Sequence, residues 1–410
     1  MSEPPAQVAT GPRPAWIRRL APLLLLVPVF LLQEAAFRFV FPLPELASLN
    51  RAQYGPRPSW LRGPPQESMN CRYYYGSKAD GAEAISSLNA YGFRDKKTWK
   101  LAKTPGEERV MFVGDSFVEG LLSDDEHTIP VAFAEEARRH GKAVEVMNMG
   151  LSGTGVPDYL RLIRDTLPSF KPDTLVVVFY ANDFPTGPPP RGFWRQAMPP
   201  RRVNAWEPRA KTVIERAFDR RTLPRRPPGP ILRVYEPVPH QGNPLSDPKN
   251  RARFASFVDP ILLDQMEKGE TCPWLVNHLG NARALLPLAF DPVPILKQLR
   301  AFVTHQGVRR LLLAYVPHGA QVSDYYIPFQ KKYSDAANIV SLSGPEYQIH
   351  AAALASACSQ LSIEYVDLSP ALRAEEAKGQ HLYWNYDNHM RPAGYAFIGR
   401  SLWEAYARSR

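Results

Sequence analysis

Short runs of hydrophobic and β-branched residues recur along the chain, and each is followed by a stretch with helical periodicity. The apolar runs are continuous rather than alternating, which is typical of strands buried on both faces of a parallel sheet. The sequence therefore predicts strands at 109–113, 143–147, 174–180, 309–316 and 363–368. It predicts helices at 129–140, 157–167, 294–305, 346–361 and 392–407. This alternation indicates an α/β fold of three layers, α/β/α, with a mainly parallel five-stranded sheet.

The regular alternation stops between residues 184 and 284. A gap of this length is too long for a loop within a compact domain, so we interpret it as an insertion and a candidate lid. The predicted organisation has five parts. They are 1–43, an amino-terminal tail with a membrane anchor or signal peptide; 44–108, a Pro-rich lead-in; 109–183, the first half of the core; 184–284, the basic Pro-rich insertion; and 285–410, the second half of the core.

Proline is the unusual feature of the composition, with 42 residues in a chain of 410. This is about twice the usual share and predicts long irregular segments. Hydrophobic residues at 44% and charged residues at 22% are ordinary for a globular protein and exclude wholesale disorder. The three cysteines, Cys71, Cys272 and Cys358, allow at most one disulfide, and the absence of a CxxC pair excludes a zinc ribbon.

The net charge of +10 is concentrated in one segment. Between Phe184 and Arg233, twelve Lys and Arg residues stand against three acidic residues, which gives +9 and leaves +1 for the rest of the chain. A nucleic-acid-binding domain spreads its charge over a folded face, so we do not expect a nucleic-acid partner. Three interpretations of this basic arm stay open: a solvated loop, a contact with anionic lipid headgroups, and a grip on an acidic polysaccharide.

The amino terminus carries a targeting pattern. Arg13, Arg18 and Arg19 precede an unbroken apolar run of thirteen residues at 20–32, and further apolar residues extend the stretch to Leu43. The extended stretch reaches the length of about 20 residues that a membrane-spanning helix needs. The sequence favours an uncleaved membrane anchor over a cleaved signal peptide or a buried helix, because no small-residue cleavage site follows. The position of the arginines predicts that most of the chain is extracytoplasmic, or periplasmic.

Polar residues suited to acyl chemistry follow the predicted strands, at the edge where parallel sheets bind ligands. The first strand leads into GDSF at 114–117, the second into NMGLSG at 148–153, and the third into Ala181-Asn182-Asp183. A serine at a strand-to-helix turn can present its hydroxyl, glycines admit a backbone N–H close to a ligand, and an Asn side chain can donate to an oxyanion. DNH at 387–389 precedes the last helix, and a nearby carboxylate can orient a histidine.

Each of these motifs alone is weak evidence, because short Gly-Asp-Ser sequences arise by chance and Asn-Asp pairs are common in turns. Their order is the stronger signal, since all four groups fall at one edge of the predicted sheet. GDSF, NMGLSG, ANDF at 181–184 and DNH resemble the four blocks of the SGNH, or GDSL-type, hydrolase superfamily. LNAYGFRD at 88–95 also resembles membrane-anchored bacterial members.

The resemblance covers about residues 85–183 and 290–408 and implies a flavodoxin-like α/β/α fold with ester chemistry. It implies that Ser116 is the nucleophile and His389 the general base, with Asp387 orienting the imidazole. The oxyanion hole would consist of the N–H groups of Ser116 and Gly153 and the side chain of Asn182. This chemistry requires no cofactor and no metal.

Two positions depart from the usual blocks, and neither removes a reacting group. Tyr180 stands where the third block usually has glycine, and only Asn388 separates the Asp and His of the last block, where two residues are common. Asp115 is expected to be a structural partner of the turn that carries the serine.

The sequence thus predicts a membrane-tethered, extracytoplasmic serine esterase that hydrolyses an O-acyl ester, of short acyl chain, through an acyl-enzyme. The expected partners are an acylated small molecule, a cell-envelope glycan or a lipid, together with the membrane itself. An O-acyltransferase acting on an envelope polysaccharide is the alternative enzyme. A catalytically idle envelope-binding or assembly protein is the alternative of a different class, although such a protein has no physical need of Ser116, Asn182 and His389 together.

Overall fold

The computed structural model describes fifteen stretches or single residues of the chain. They are 26–36, 71–75, 82–86, 89, 91, 93–97, 99–152, 154–183, 232–233, 245, 247–256, 258–267, 291–331, 341–385 and 388–408. Two units contain these residues: one holds the helix at 26–36, and the other holds everything from residue 71 onward. The basic arm of the insertion, from residue 184 to 231, lies outside the described residues.

Within the described part of the chain the strands are β1 (Cys71–Tyr75), β2 (Ala82–Ser86), β3 (Glu108–Gly114), β4 (Val144–Gly150), β5 (Thr174–Tyr180), β6 (Leu232–Arg233), β7 (Arg310–Val316) and β8 (Glu364–Asp367). The helices are α1 (26–36), α2 (Ser116–Glu119), α3 (Ile129–Arg139), α4 (Val156–Phe170), α5 (Pro248–Ala255), α6 (Pro260–Glu267), α7 (Val293–His305), α8 (Gly319–Val322), α9 (Ile327–Gln330), α10 (Ile349–Leu361), α11 (Ser369–Glu376) and α12 (Pro392–Arg408).

The predicted parallel sheet is present, with five strands in the order β4-β3-β5-β7-β8. Every residue of β5 is buried, as expected for a central strand covered on both faces. The chain passes from β3 outward to β4 and then returns to the other side of β3 with β5. In such doubly wound sheets the ligand crevice lies outside the carboxyl ends of the strands where this reversal occurs, here β3 and β5.

The helices form a layer on each side of the sheet. α3 packs against α12, and α7 packs against α4 and α10. Right-handed crossovers place α3 on the opposite face from α4, because the connections that contain them run in opposite directions across the sheet. The predicted α/β/α arrangement is therefore confirmed.

Element boundaries differ from the predictions at several points. The helix expected from residue 346 begins at Ile349, because Pro345–Tyr347 forms a 3₁₀ turn first. The helix expected to end at 167 continues to Phe170 and ends where Lys171 adopts a left-handed φ of 46°. α11 was not predicted, and β1 and β2 form an antiparallel hairpin in a lead-in that showed little periodicity.

α1 exposes most of its apolar side chains. The relative exposure is between 41 and 71% for Leu26, Val27, Val29, Phe30, Leu31 and Leu32. Among the helices of the described residues, none has both the length and the apolar character needed to cross a bilayer.

α12 is attached near both ends of the sheet. Near its beginning, the Tyr395 hydroxyl donates to the carbonyl oxygen of Leu121 at 2.7 Å. Near its end, the Tyr406 hydroxyl bonds the carboxylate of Glu108, and the guanidinium of Arg310 donates to the Tyr406 carbonyl oxygen at 2.6 Å. The helix therefore spans from the carboxyl edge of the sheet to its amino edge.

Arg94, from the lead-in segment, is buried and fixes the turn that follows α2. Its guanidinium donates to the carbonyl oxygens of Glu119, Gly120 and Ser123, and its Nε lies 3.1 Å from the Asp125 carboxylate. Gly120 has a φ of 79°, a conformation that glycine adopts without the strain imposed by a Cβ. The lead-in is therefore part of the structure that holds the GDSF turn.

Replacing this buried cation should destabilise the protein strongly. Arg94→Met removes the guanidinium that Asp125 and three carbonyl groups share, and breaking a buried pair of this kind costs about 3–5 kcal/mol. Urea unfolding of Arg94→Met beside Arg139→Met provides the comparison, because Arg139 is 64% exposed in its pair with Glu136. We expect a loss below about 1 kcal/mol for the surface variant. Equal losses for the two variants would contradict the assignment.

Candidate active site

The turn after β3 presents a serine at the carboxyl edge of the sheet. α2 begins directly at Ser116, and the Asp115 side chain caps it by accepting the Phe117 N–H at 2.9 Å. Asp115 is thus the structural partner of the turn that the sequence predicted. The turn is packed closely enough that Ser116 is only 7% exposed.

The segment that carries His389 is a loop closed by backbone hydrogen bonds. Tyr383 and Met390 form an antiparallel bridge, and the Trp384 N–H donates to the His389 carbonyl oxygen at 3.0 Å. The Arg391 N–H donates to the Leu382 carbonyl oxygen at 2.8 Å and closes the loop below the bridge.

Side chains from other elements hold this loop against the rest of the protein. The Tyr383 hydroxyl donates to the Pro317 carbonyl oxygen at 2.8 Å, just beyond β7. The buried Glu376 carboxylate accepts the Leu382 N–H at 2.7 Å. The Gln330 side-chain amide donates to the Asn388 side-chain oxygen at 3.0 Å, directly beside His389.

These two segments bring Ser116 and His389 together. The distance from His389 Nε2 to Ser116 Oγ is 2.7 Å, a short hydrogen bond between residues 273 positions apart. For Nε2 to accept the hydroxyl proton, the ring hydrogen must be on Nδ1. This is the geometry of a nucleophile with its general base.

Burial raises the pKa of Asp115 to about 6, because a carboxylate charge is poorly solvated away from water. The Phe117 N–H and the positive form of the nearby His389 lower this pKa, whereas the neighbouring Glu119 carboxylate raises it further. Asp115 Oδ2 also lies 3.5 Å from Ser116 Oγ. The Ser116 hydroxyl therefore lies beside a buried acid whose pKa is also influenced by the His389 imidazole.

Asn182 is exposed in a turn that Asp183 holds in place. The Asp183 carboxylate accepts the Tyr180 N–H at 2.7 Å and the Tyr159 hydroxyl at 2.6 Å. The Asp183 N–H in turn donates to the Tyr180 carbonyl oxygen at 3.0 Å. Burial, together with the charge of Asp115, raises the pKa of Asp183 well above its usual range. This turn presents the Asn182 amide at the carboxyl end of β5, next to the end of β3.

The loop after β4 is fixed by a buried glutamate from α2. Glu119 is 1% exposed, and its Oε2 accepts the Ser152 N–H at 2.7 Å as well as the Ser152 hydroxyl. A Cβ at Gly150 would lie 2.0 Å from the Glu119 nitrogen, so only glycine allows this approach. The residue before Gly153 is thereby held against the helix that carries Ser116.

Two of the predicted site residues lie outside the described residues: Gly153 and Asp387. Their predicted roles stay predictions. Of the three cysteines, Cys358 is free and buried, and burial raises the pKa of its thiol to about 12. In the part of the chain that the structure describes, no group of three or more His, Cys, Asp or Glu side chains is arranged to bind a metal ion.

Sequence reasoning missed the residues that position the site. Glu119 follows the GDSF block and Asp183 belongs to ANDF, but neither was predicted to hold a turn, because a buried carboxylate has no pattern that separates it from a surface one. Arg94 belongs to LNAYGFRD, which was noticed only as a resemblance. Glu376 lies in a helix that was not predicted.

Comparison with known proteins gives similarities among solved structures only. The chain matches no protein-family model and no curated protein. It is similar to a protein of the G-D-S-L family from Desulfitobacterium hafniense, with 14% identity and a TM-score of 0.34, over 73% of this chain and 99% of that one. It is similar to the acetylxylan esterase Axe2 from Geobacillus stearothermophilus, with 13% identity and a TM-score of 0.35, over 73% and 94% of the two chains.

A third similar structure is a lipase/acylhydrolase from Enterococcus faecalis, with 13% identity and a TM-score of 0.35, over 72% of this chain and 94% of that one. TM-scores of this size carry no argument about function, which rests on the geometry of Ser116 and His389.

The buried charge of Asp115 should appear in the pH dependence of stability. Its pKa in the folded protein, about 6, lies above the ordinary value of 3.8, so unfolding releases a proton between these values and stability falls as the pH rises. Asp115→Asn removes the charge and keeps an acceptor for the Phe117 N–H. Relative to wild type, we expect the variant to gain about 2 kcal/mol of unfolding free energy between pH 4 and pH 7. Urea unfolding of both proteins at pH 4, 5.5 and 7 measures this difference. The same pH dependence of the unfolding free energy in both proteins would contradict the prediction.

Proposed function

We propose that the protein is a serine esterase of the SGNH hydrolase type that cleaves an O-acyl ester through an acyl-enzyme. The observation that carries this proposal is the 2.7 Å hydrogen bond from Ser116 Oγ to His389 Nε2 at the carboxyl edge of the parallel sheet. A serine hydroxyl is a weak nucleophile at its ordinary pKa and needs an adjacent base to remove its proton. His389 is in position to act as that base.

In the proposed reaction, Ser116 Oγ attacks the acyl carbon while His389 Nε2 takes the hydroxyl proton. The carbonyl double bond becomes a C–O⁻ single bond in a tetrahedral intermediate. When the carbonyl reforms, the bond to the alcohol oxygen breaks, and His389 gives its proton to the departing alcohol. Water then attacks the acyl-serine in the same way and releases the carboxylic acid and the free serine.

The negative charge on the carbonyl oxygen requires fixed donors. The proposed donors are the N–H groups of Ser116 and Gly153 and the side-chain amide of Asn182. Two carboxylates support this arrangement, since Asp183 fixes the Asn182 turn and Glu119 holds Ser152 beside Gly153. The loss of one such donor typically reduces the rate by about 10²- to 10³-fold. The carboxylate proposed to orient His389 is Asp387.

The substrate is proposed to be a short-chain acyl ester on a cell-envelope glycan or lipid. The acyl-enzyme is shared by hydrolysis and by transfer to a sugar hydroxyl, so the identity of the acceptor decides between an esterase and an O-acyltransferase.

Ser116→Ala should abolish ester hydrolysis while the protein stays folded. Removal of a triad serine costs about 10⁶-fold in kcat, so hydrolysis should fall below detection. The measurement is hydrolysis of p-nitrophenyl esters from C2 to C12 by the purified full chain, with far-UV circular dichroism as a folding check. Ser356→Ala is the matched control, because Ser356 lies exposed on α10. The optimum chain length separates a deacetylase from a lipase.

Two results would contradict the esterase proposal. One is an equal rate for wild type and Ser116→Ala, and the other is no hydrolysis by wild type and no acyl-serine when the protein is incubated with an activated ester. An acyl-serine that turns over only when an acceptor sugar is added would instead identify an acyltransferase.

We infer in addition that the enzyme is tethered to a membrane by an uncleaved amino-terminal segment. Three arginines before an apolar stretch at 20–43 support this, and so does the exposure of the apolar side chains of α1. The arginines place the catalytic part on the extracytoplasmic side under the positive-inside rule.

Fractionation tests the tether. The full chain should stay with the membrane pellet after alkaline carbonate extraction, and its mass should correspond to all 410 residues. A variant that lacks residues 1–43 should move to the supernatant with its Ser116-dependent activity. A mature protein that has lost its amino-terminal segment would indicate a signal peptide and overturn the tether.

A further inference from the structure

Three rings form a stacked row behind the proposed general base. The Phe117 ring lies 5.3 Å from the His389 ring, with 29° between their planes. The Tyr180 ring stacks on Phe117 at 3.8 Å and 24°. The His318 ring follows at 6.4 Å from Tyr180, with 25° between the planes. We call Phe117, Tyr180 and His318 the aromatic wall.

The wall has a rigid base. Phe117 is 1% exposed and follows Ser116 directly, so the nucleophile and the first ring share one turn. Tyr180 is the last residue of β5, where it pairs with Val316 of β7. His318 accepts the Ala320 N–H on its Nδ1 at 3.0 Å, which holds this ring in its neutral form. The wall therefore stands across the carboxyl ends of β3, β5 and β7.

This geometry explains why tyrosine can stand where the third sequence block usually has glycine. Tyr180 continues β5 in regular register with β7, so the backbone path to Asn182 does not require glycine. Its side chain fills the space behind Phe117 instead. The edge of Tyr395, from α12, closes the wall on another side, at 6.4 Å from Phe117 and 67° to it.

We propose that Phe117 and Tyr180 are positioning residues for His389: Phe117 presents its aromatic face to the imidazole, and Tyr180 acts through Phe117. The inference rests on the proposed function and extends it to residues that do not touch the reacting atoms. An aromatic face within about 6 Å of a cation attracts it. The wall therefore stabilises the imidazolium that forms as Ser116 attacks, and it limits the ring to the orientation that meets Ser116 Oγ.

Among the described residues, the charged and titratable groups near the imidazole can all be kept unchanged while the wall is altered. Asp115 lies on the turn that carries Ser116, and Glu119 lies further along α2. Arg391, on the His389 loop, is occupied by the Tyr383 carbonyl oxygen and by the Trp384 ring at 4.4 Å. His318 stands at the far end of the wall, and Asp387 is next but one to His389 in the sequence. The variants proposed below leave all of these groups unchanged.

The pH dependence of kcat/KM tests the wall in the full-length enzyme. Activity requires neutral His389, so kcat/KM for p-nitrophenyl acetate rises with pH through the titration of the imidazole. In Phe117→Leu the imidazolium loses its aromatic face. We expect the midpoint of this rise to move down by about half a pH unit. We expect the plateau of kcat/KM to fall about tenfold, because the imidazole is also less well oriented.

Variants at Tyr180 test whether this residue acts through Phe117. Tyr180→Phe keeps the stack and should retain the wild-type midpoint and plateau of kcat/KM. Tyr180→Leu should lower both, as Phe117→Leu does. The double variant Phe117→Leu/Tyr180→Leu should lose no more than Phe117→Leu alone, since one residue works through the other. Phe133→Leu is the control for core damage, because this buried ring packs edge-to-face against Phe112 and is separate from the aromatic wall.

A direct titration separates failure of this inference from failure of the esterase proposal. The imidazole C–H resonance of His389, assigned by its loss in His389→Gln, reports the same midpoint by NMR without a substrate. A downward shift in Phe117→Leu and none in Phe133→Leu supports the wall even if wild type hydrolyses no ester. A midpoint within 0.1 pH unit of wild type in Phe117→Leu would overturn the inference, as would equal effects of Tyr180→Phe and Tyr180→Leu.

Discussion

The hydrogen bond between Ser116 and His389 imposes the main geometric constraint on this fold, because it joins two residues 273 positions apart at 2.7 Å. A parallel sheet meets this constraint by collecting the ends of distant strands at one edge. The serine comes directly from the end of β3. His389 instead lies on a loop that is closed by the Tyr383–Met390 bridge and anchored to the segment beyond β7. Hydrogen bonds from several elements hold this loop, since it has no strand to fix it.

Buried carboxylates supply much of the local rigidity. Asp115, Glu119 and Asp183 are each at most 7% exposed, and each accepts a backbone N–H from a segment of the site. A buried charge is costly unless it is bonded, so a shift of any of these segments would leave an unsatisfied carboxylate. The same burial raises the pKa of Asp115 and Asp183, which lie close enough to influence each other. Burial of these carboxylates lowers the free energy of unfolding, whereas their hydrogen bonds hold the turns in place. Such a loss of stability is expected at functional sites.

The sequence predicted the regular elements well, because the buried strands have a strong pattern that does not depend on distant contacts. The strand at Thr174–Tyr180 was predicted with both its boundaries. The order of the four motifs along the chain also predicted that Ser116 and His389 lie at one edge of the sheet. The supporting residues could not be predicted in this way. Glu119 and Arg94 have their roles only because Ser152 and Asp125 face them in three dimensions, and sequence patterns do not record such pairs.

The placement of α12 links the site to the far end of the sheet. The helix begins three residues after His389, and its 17 residues extend about 25 Å. It is bonded to Leu121 near the site and to Glu108 and Arg310 at the opposite edge. Local opening requires only that one element detach, and it needs less free energy than global unfolding. Undocking of this single helix would remove the support on the carboxy-terminal side of His389 while the five strands remain paired. The docking of one peripheral helix therefore contributes to holding the site together, beside the bonds that anchor the histidine loop itself.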